Sequence, residues 1–217
     1  MPDAADADAT ELAMFPLGTV LFPFAPLPLH VFEPRYRELV QHCLDGEPEF
    51  GVVLIERGSE VGGGDTRFSV GTVARIVQVA QMPDGRSLLV TVGVRRVRVR
   101  EWLPDDPYPR ALVVALDEVG SGVRSGLVDD VRRALVRVVA LRSELGIPSF
   151  GDAGDPVSLD PAGDPDRASF ELAARAGLNP LDAQRLLELD DAGARLDTLH
   201  ALLTDEATVL EHQLGTT

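Results

Sequence analysis

The sequence contains no lysine, because all 20 of its basic residues are arginine. Schiff-base chemistry, a Ser–Lys catalytic dyad and a Walker A phosphate-binding loop each require a lysine side chain. None of these three kinds of site can be built from this chain. The Gly-x-Ser-x-Gly motif that is typical of serine hydrolases is also absent from the sequence.

Cysteine is scarce as well, since Cys43 is the single cysteine among 217 residues. A single cysteine excludes an internal disulfide bond, which is typical of proteins in reducing compartments. We therefore expect a cytoplasmic protein. As a catalytic nucleophile, Cys43 would need exposure and a basic neighbourhood, but its position on the apolar face of a short helix predicts a buried packing residue instead.

Positive charge is in short supply, with 35 acidic against 20 basic residues and a formal net charge of −15. Both halves of the chain share the excess of acidic residues. Residues 1–118 hold 18 acidic residues and 11 arginines, and residues 119–217 hold 17 acidic residues and 9 arginines. Nucleic acids and anionic membranes bind basic surfaces. We therefore expect neither of them as a partner.

A long apolar run without breaks is also missing. Residues 14–32 carry no formal charge over 19 positions, close to the length that spans a bilayer. Four prolines interrupt this stretch, and a helix in lipid could not satisfy the backbone groups that they leave open. The preceding residues are acidic, whereas a secretory signal begins with basic residues. The sequence predicts neither a membrane span nor a signal peptide.

The first half of the chain has the pattern of short strands. Residues 1–10, mostly alanine and aspartate, predict a disordered tail. Residues 11–118 predict about six strands around one helix, a β-rich pseudo-barrel. The helix begins at Pro34, where proline fits the first helical position, and runs to about Leu44. The apolar positions change parity along residues 87–99, which predicts a bend or bulge at Gly93.

The second half changes to a helical period. Apolar residues recur every three or four positions from Leu127 to Leu145, which predicts an amphipathic helix. Further helices are expected at about 167–176, 181–189 and 193–213, after a flexible acidic loop at 146–166. Residues 119–217 therefore predict an α-helical bundle, and the fold class of the whole chain is α+β.

No metal or cofactor site is predicted. His30 and Glu33 stand three residues apart, but Pro34 places His30 before the helix, so the two side chains do not share a helical face. The acidic residues of 146–166 lack the alternation and the terminal glutamate of a calcium loop. Solvated or capping side chains are the better interpretation.

Arg96, Arg98 and Arg100 alternate along a predicted strand and would line one of its faces. One interpretation is an anion-binding stripe. The alternative is an outward face that pairs with nearby acidic residues, which is the commoner fate of such a charge run.

One long segment resembles a known family. The run Leu27-Pro28-Leu29-His30-Val31-Phe32-Glu33-Pro34-Arg35-Tyr36-Arg37 is similar to the opening of the N-terminal, substrate-binding domain of Lon proteases. The same order continues with Phe50-Gly51-Val52-Val53-Leu54, Val70-Gly71-Thr72-Val73-Ala74-Arg75-Ile76 and Gly93-Val94-Arg95-Arg96-Val97-Arg98-Val99. The resemblance covers most of residues 11–214 and is looser in the helical part.

The resemblance implies a β pseudo-barrel followed by a helical bundle, in a domain that engages unfolded or tagged protein. It does not carry over the ATPase and Ser–Lys protease domains of a complete Lon protease, since this chain has no lysine. We expect a free-standing recognition domain. The apolar, proline-rich segment suggests a peptide-binding surface, because exposed apolar groups beside a strand edge capture extended peptides. Its candidate residues, which could equally fill the core, are Phe22, Phe24, Leu29, Phe32 and Tyr36.

The leading hypothesis is therefore a non-catalytic module that binds unfolded or extended polypeptide, acting as an adaptor in protein quality control with a protease or chaperone. A second hypothesis is a small-molecule-binding or hydrolytic enzyme with its site between barrel and helices, based on His30, Glu33 and the arginine run. A third is a self-associating structural protein, and the sequence leaves the homo-oligomeric state open.

Overall fold

The computed structural model describes residues 9–58, 66–120, 122–147 and 164–215. The chain divides into two compact units, Met1–Asp117 and Glu118–Thr217. Within these described ranges, the first unit contains six strands and one helix, and the second contains four helices. The predicted α+β fold class is confirmed. The expected tail lies almost wholly outside the described residues, as does most of the expected loop at 146–166.

The elements of the first unit follow one another with short connections. In chain order they are β1 (Thr10–Leu17), β2 (Pro26–Val31), α1 (Pro34–Asp45), β3 (Glu49–Arg57), β4 (Thr66–Gln81), β5 (Ser87–Leu103) and β6 (Arg110–Ala115). Helix α1 begins at Pro34 as predicted and buries Tyr36, Leu39, Val40 and Cys43. Its expected apolar face is confirmed.

The sheet closes on itself through its longest strand. The strand order is β2-β5-β4-β3-β1-β6, and β5 also pairs with β6. Strands β5, β4, β3, β1 and β6 therefore form a ring, while β2 lies outside it against the first half of β5. The centre of the ring is a core of valine, alanine and methionine side chains: Met14, Val53, Val73, Val97, Val99, Ala111 and Val113.

Strand β5 pairs with both β2 and β6 along the same edge because it is bent. Val73 of β4 pairs with Arg95 and Ala74 pairs with Gly93, so Val94 is an extra residue on β5. The bulge predicted at Gly93 is confirmed. Before it, β5 pairs with β2, and after it β5 pairs with β6.

The second unit consists of α2 (Leu127–Glu144), α3 (Pro165–Arg175), α4 (Pro180–Glu188) and α5 (Ala192–Gly215). Asp164 and Asn179 cap α3 and α4, since each side chain accepts hydrogen bonds from two backbone N–H groups of the first turn. Helix α2 buries Leu127, Val131, Leu135 and Val138 as its period predicts. No helix among the described residues is long and apolar enough to cross a membrane.

Candidate functional site

The sheet section formed by β2, β5 and β4 exposes an apolar face. Cross-strand partners point to the same side, and one such row contains His30, Leu88 and Ala80. The next row contains Pro28, Val90 and Gln78. All six side chains are exposed. We call these six residues the outer face; none of them carries a formal charge at neutral pH, in a chain whose net charge is −15.

The outer face inverts the usual polarity of a half-buried strand. In β5, Ser87 and Thr91 are buried, while Leu88 and Val90 are 44% and 39% exposed. The Thr91 hydroxyl donates a hydrogen bond to the Leu27 carbonyl at 2.8 Å, which compensates its burial. The alternation of apolar residues along β5 would place Val90 on a buried face, but the structure exposes it. Contiguous exposed apolar residues on a sheet are typical of an interaction surface.

Two aromatic side chains lie beyond the ends of β2. Phe24 precedes the strand and is 42% exposed, and Phe32 follows it and is 52% exposed. The Phe32 ring lies near the His30 ring, with 5.9 Å between their centroids. The apolar surface therefore extends along β2 beyond the outer face.

A tight turn holds Phe24 in place. Ala25 N–H donates to the Phe22 carbonyl at 3.2 Å, closing a four-residue turn around Pro23 and Phe24. Phe24 has a φ of +66°, a conformation that ordinary L-residues avoid. Its N–H donates to the Gly93 carbonyl at 2.8 Å. A Cβ atom at position 93 would lie 2.2 Å from the Phe22 carbonyl oxygen, so only glycine at this position allows the turn to pack so closely against β5.

A groove runs beside β2. Its volume is about 180 Å³, and it is lined by Phe15, Leu17, Pro28, Leu29, His30, Val31, Phe32, Glu33 and Tyr36. The rings of Phe15 and Tyr36 stack with centroids 4.0 Å apart, and the Arg35 guanidinium lies 4.5 Å from the Tyr36 ring centroid. Arg35 Nε in turn donates to Glu33 at 3.2 Å. These contacts fix one wall of a groove that can accept an apolar side chain.

The backbone of β2 limits how a peptide can bind there. Gly93 N–H donates to the Ala25 carbonyl at 2.9 Å. Because backbone groups alternate in direction along an antiparallel pair, the N–H and C=O groups of residues 27, 29 and 31 point toward β5. The backbone groups of Pro26, Pro28 and His30 therefore point to the edge of β2 that faces away from β5. Proline has no N–H, and among these three residues only His30 has one to donate. Side-chain contacts rather than a full hydrogen-bond ladder are available for recognition.

The residues predicted for peptide binding divide into two groups. Leu29, Phe32 and Tyr36 meet in the groove, although Tyr36 is buried in its wall. Phe22 is buried, whereas Phe24 is exposed, and both belong to the turn before β2. Sequence reasoning missed the exposed residues Leu88 and Val90. The signal that could have found them is the alternation itself, which puts Leu89 on the same face as Ser87 and Thr91 and leaves Leu88 and Val90 on the other face.

The predicted arginine stripe does not form a continuous exposed row. Arg96 is only 1% exposed, and its guanidinium donates to the Asp117 carbonyl at 3.4 Å. Arg98 is half-buried, and Arg100 is exposed at a second bulge of β5, between Val99 and Glu101. The bulge at Arg100 breaks the strict alternation from which the stripe was predicted. None of these arginines is among the groove residues, where His30 and Glu33 lie.

Cys43 is buried in α1, and its thiol donates to the Glu49 carbonyl at 3.3 Å. Burial raises the pKa of this thiol to about 11, which keeps it protonated and unreactive at neutral pH. Among the described residues, no three His, Cys, Asp or Glu side chains are placed to hold a metal ion together.

Comparisons with known proteins agree with the resemblance seen in the sequence. The family model of the ATP-dependent protease La (LON) substrate-binding domain matches residues 11–205. A Lon protease of Koribacter versatilis is 30% identical over 209 residues, covering 94% of this chain and 25% of that protein. A Lon protease of Cytophaga hutchinsonii is 28% identical over 197 residues, covering 88% and 24%. The chain thus spans about a quarter of the length of these relatives.

Solved structures show the same fold. A Lon N-terminal domain protein from Xanthomonas campestris superposes with a TM-score of 0.62 at 27% identity, covering 88% of this chain and 98% of that one. The N-terminal domain of a Mycobacterium avium complex Lon protease gives 0.59 at 18% identity, which shows the fold alone. Together with the family match over residues 11–205, this places the chain in the family of LON substrate-binding domains.

Proposed function

We propose that this protein is a non-catalytic module that binds extended polypeptide segments through the outer face and the groove beside β2. The observation that carries the proposal is the inverted polarity of β5, where Leu88 and Val90 are exposed and Ser87 and Thr91 are buried. Covering exposed apolar side chains is favourable by about 25 cal/mol per Å² of apolar surface removed from water. Family membership supports polypeptide as the occupant.

The chemistry of the surface favours a client with spaced apolar side chains. One such side chain would enter the 180 Å³ groove, where the Tyr36 wall is fixed, and others would lie across Leu88 and Val90. Prolines at positions 26 and 28 deny a bound chain two backbone donors, so binding tolerates many sequences and many backbone registers. Tolerance of this kind is suited to unfolded protein.

Binding is tested with a fluorescently labelled, chemically unfolded protein and a Leu88→Thr, Val90→Thr double variant. Threonine suits a strand and removes much of the apolar surface, so we expect affinity to fall about tenfold or more while the fold is kept. The matched control is Val209→Thr, which changes a valine on α5 that is still more exposed, at 56%. Equal binding by the parent and the double variant would exclude the outer face, and no binding by the parent would exclude the function.

We further propose that the module acts as an adaptor in protein quality control, in the cytoplasm, delivering clients to a protease or chaperone. The named relatives are Lon proteases, and the free thiol of Cys43 suits a reducing compartment. The test is the rate at which a purified Lon protease degrades a labelled client with and without this protein. A change in rate that disappears with the Leu88→Thr, Val90→Thr variant is expected, and an unchanged rate would contradict the adaptor role.

A further inference from the structure

A second cavity lies on the opposite side of β5 from the outer face. It has a volume of about 530 Å³ and lies between one side of α1 and the β4–β5 hairpin. Helix α1 contributes Arg37, Glu38 and Gln41, and the hairpin contributes Gln81 and Ser87. These polar groups share the lining of the cavity with Pro34, Val40, Met82 and Gly85.

Arg37 is an exposed arginine that differs from the paired arginines near it. Arg35 is paired with Glu33, and Arg86 donates to Asp84 at 2.7 Å. Within the described part of the chain, the Arg37 guanidinium has no hydrogen-bond or ion-pair partner. It packs instead on Gly85 in the hairpin turn, where a Cβ atom would lie 2.0 Å from its Nη2. The hairpin glycine thus leaves room for a guanidinium that has no ion-pair partner among the described residues.

The groups near Arg37 suit an anion that can also accept further hydrogen bonds. The Ser87 hydroxyl and the Gln81 amide line the same cavity and can both donate. The Gln41 amide already donates to Asp45 at 2.8 Å. Glu38 is the acidic side chain of the lining, and its charge opposes an anion, so its removal should strengthen anion binding.

The cavity is close to the proposed peptide surface. Ser87 pairs with Val31 in the register of β5 and β2, and Val31 lines the groove. Paired Cα atoms of neighbouring strands lie about 5 Å apart. On α1, Tyr36 lines the groove and the next residue, Arg37, lines the cavity. One short segment of polypeptide can therefore place an apolar side chain in the groove and a neighbouring group at the cavity.

We propose that Arg37 binds a carboxylate of the polypeptide whose apolar side chain occupies the groove. The inference rests on the proposed function. The guanidinium offers the planar pair of donors that a carboxylate accepts, and the cavity has room for it without displacing a partner. The carboxylate belongs to an Asp or Glu side chain or to the C-terminus of the client, and both sources present the same group. Arg37 thus selects among clients that the apolar surface alone would treat alike.

The test uses three labelled peptides with the same alternating Leu and Thr residues. One ends in Glu with an amidated C-terminus, one ends in Gln with an amidated C-terminus, and one ends in Gln with a free C-terminal carboxylate. We expect the parent protein to bind at least one acidic peptide about three to ten times more tightly than the neutral one. Which acidic peptide shows the preference identifies the source of the carboxylate. The preference should weaken as salt rises from about 50 mM to about 500 mM.

The variants separate this inference from the proposed function. Arg37→Gln should reduce the preference to about one while leaving binding of the neutral peptide unchanged, and Glu38→Gln should increase it about twofold. Arg86→Gln is the matched control, since that exposed arginine is already bonded to Asp84. Equal binding of all three peptides by the parent, or a preference that survives Arg37→Gln, would overturn the carboxylate site alone. Failure of all three peptides to bind would overturn both proposals.

Discussion

The guanidinium of Arg195 lies over the ring of Phe170, with its central carbon 3.7 Å from the ring centroid. Arg195 is fully buried, and it donates to Glu118 at 2.6 Å, to the Leu189 carbonyl at 2.7 Å and to the Ser169 hydroxyl at 2.5 Å. One side chain thus joins α5, α3, the end of α4 and the start of the helical unit. Because it is shielded from water, this cation–π contact stabilises the packing of the second unit.

Replacing Arg195 with methionine should destabilise the protein strongly. The change keeps most of the packing volume but removes the hydrogen bonds that Arg195 donates to Glu118 and to the Leu189 carbonyl, which costs about 3 kcal/mol. Urea unfolding followed by circular dichroism measures this loss. Arg137→Met is the control, because the Arg137–Glu211 pair is exposed and should contribute less than about 1 kcal/mol. Similar losses for both variants would contradict the role assigned to Arg195.

Replacing Gly93 with alanine should displace the turn that carries Phe24. The new Cβ would meet the Phe22 carbonyl oxygen at 2.2 Å and the Pro23 Cα at 3.1 Å, and both are backbone atoms that cannot rotate away. We expect a loss of about 1–3 kcal/mol, as for other overpacked sites, together with weaker binding of unfolded client. Gly120→Ala, with open space around position 120, should change neither quantity. A Gly93→Ala protein with parental stability would show that the turn is not held this closely.

Glu49 should stabilise the sheet in a pH-dependent way. Partial burial would raise the pKa of its carboxyl, but hydrogen bonds from Arg95 and Arg75 outweigh burial and lower it. A lowered pKa in the folded state gives stability that is present above the unfolded pKa and is lost as pH falls through the folded one. Glu49→Gln should therefore cost about 1 kcal/mol near neutral pH, and the cost should shrink as pH falls below 4.5 and through the lowered pKa of the folded protein. A cost that does not change with pH would show that packing, not charge, is what Glu49 supplies.

Cys43 should show the opposite pH dependence. Burial raises its thiol pKa to about 11 in the folded protein, above the ordinary value of 9.0. The stability that this gives is complete below about pH 9 and is lost as pH rises toward about pH 11. The parent should therefore lose up to about 2 kcal/mol more than Cys43→Ala over this range. Rapid reaction of the folded protein with a thiol reagent near pH 8 would contradict the burial of Cys43.

Local sequence signals identified much of the fold. Pro34 marked the first turn of α1, and the change of period at Leu127 marked the beginning of the helical part. Gly93 marked the bulge of β5, since the extra residue is its neighbour Val94. The buried positions nevertheless stay odd-numbered on both sides of the bulge, as Leu89 and Val97 show. Each of these features is decided by residues that are close together in the chain.

The apolar surface could not be predicted in the same way. Alternation along residues 87–92 assigns Leu88 and Val90 to the core, yet the structure buries Ser87 and Thr91 because β2 supplies a carbonyl acceptor for the Thr91 hydroxyl. Arg96 is buried as well, and it donates a hydrogen bond to the backbone carbonyl of Asp117. In both cases the decisive partner comes from a distant segment, which alternation along one strand does not reveal.

The proline pair of β2 has a consequence for how the protein behaves in concentrated solution. An apolar face beside an unblocked strand edge is a template on which further strands add, and such growth ends in fibres. Pro26 and Pro28 face that edge and supply no N–H, so an arriving strand finds two missing donors within three residues. The protein can thus expose an apolar surface to other polypeptides while the two prolines oppose its own aggregation by strand addition.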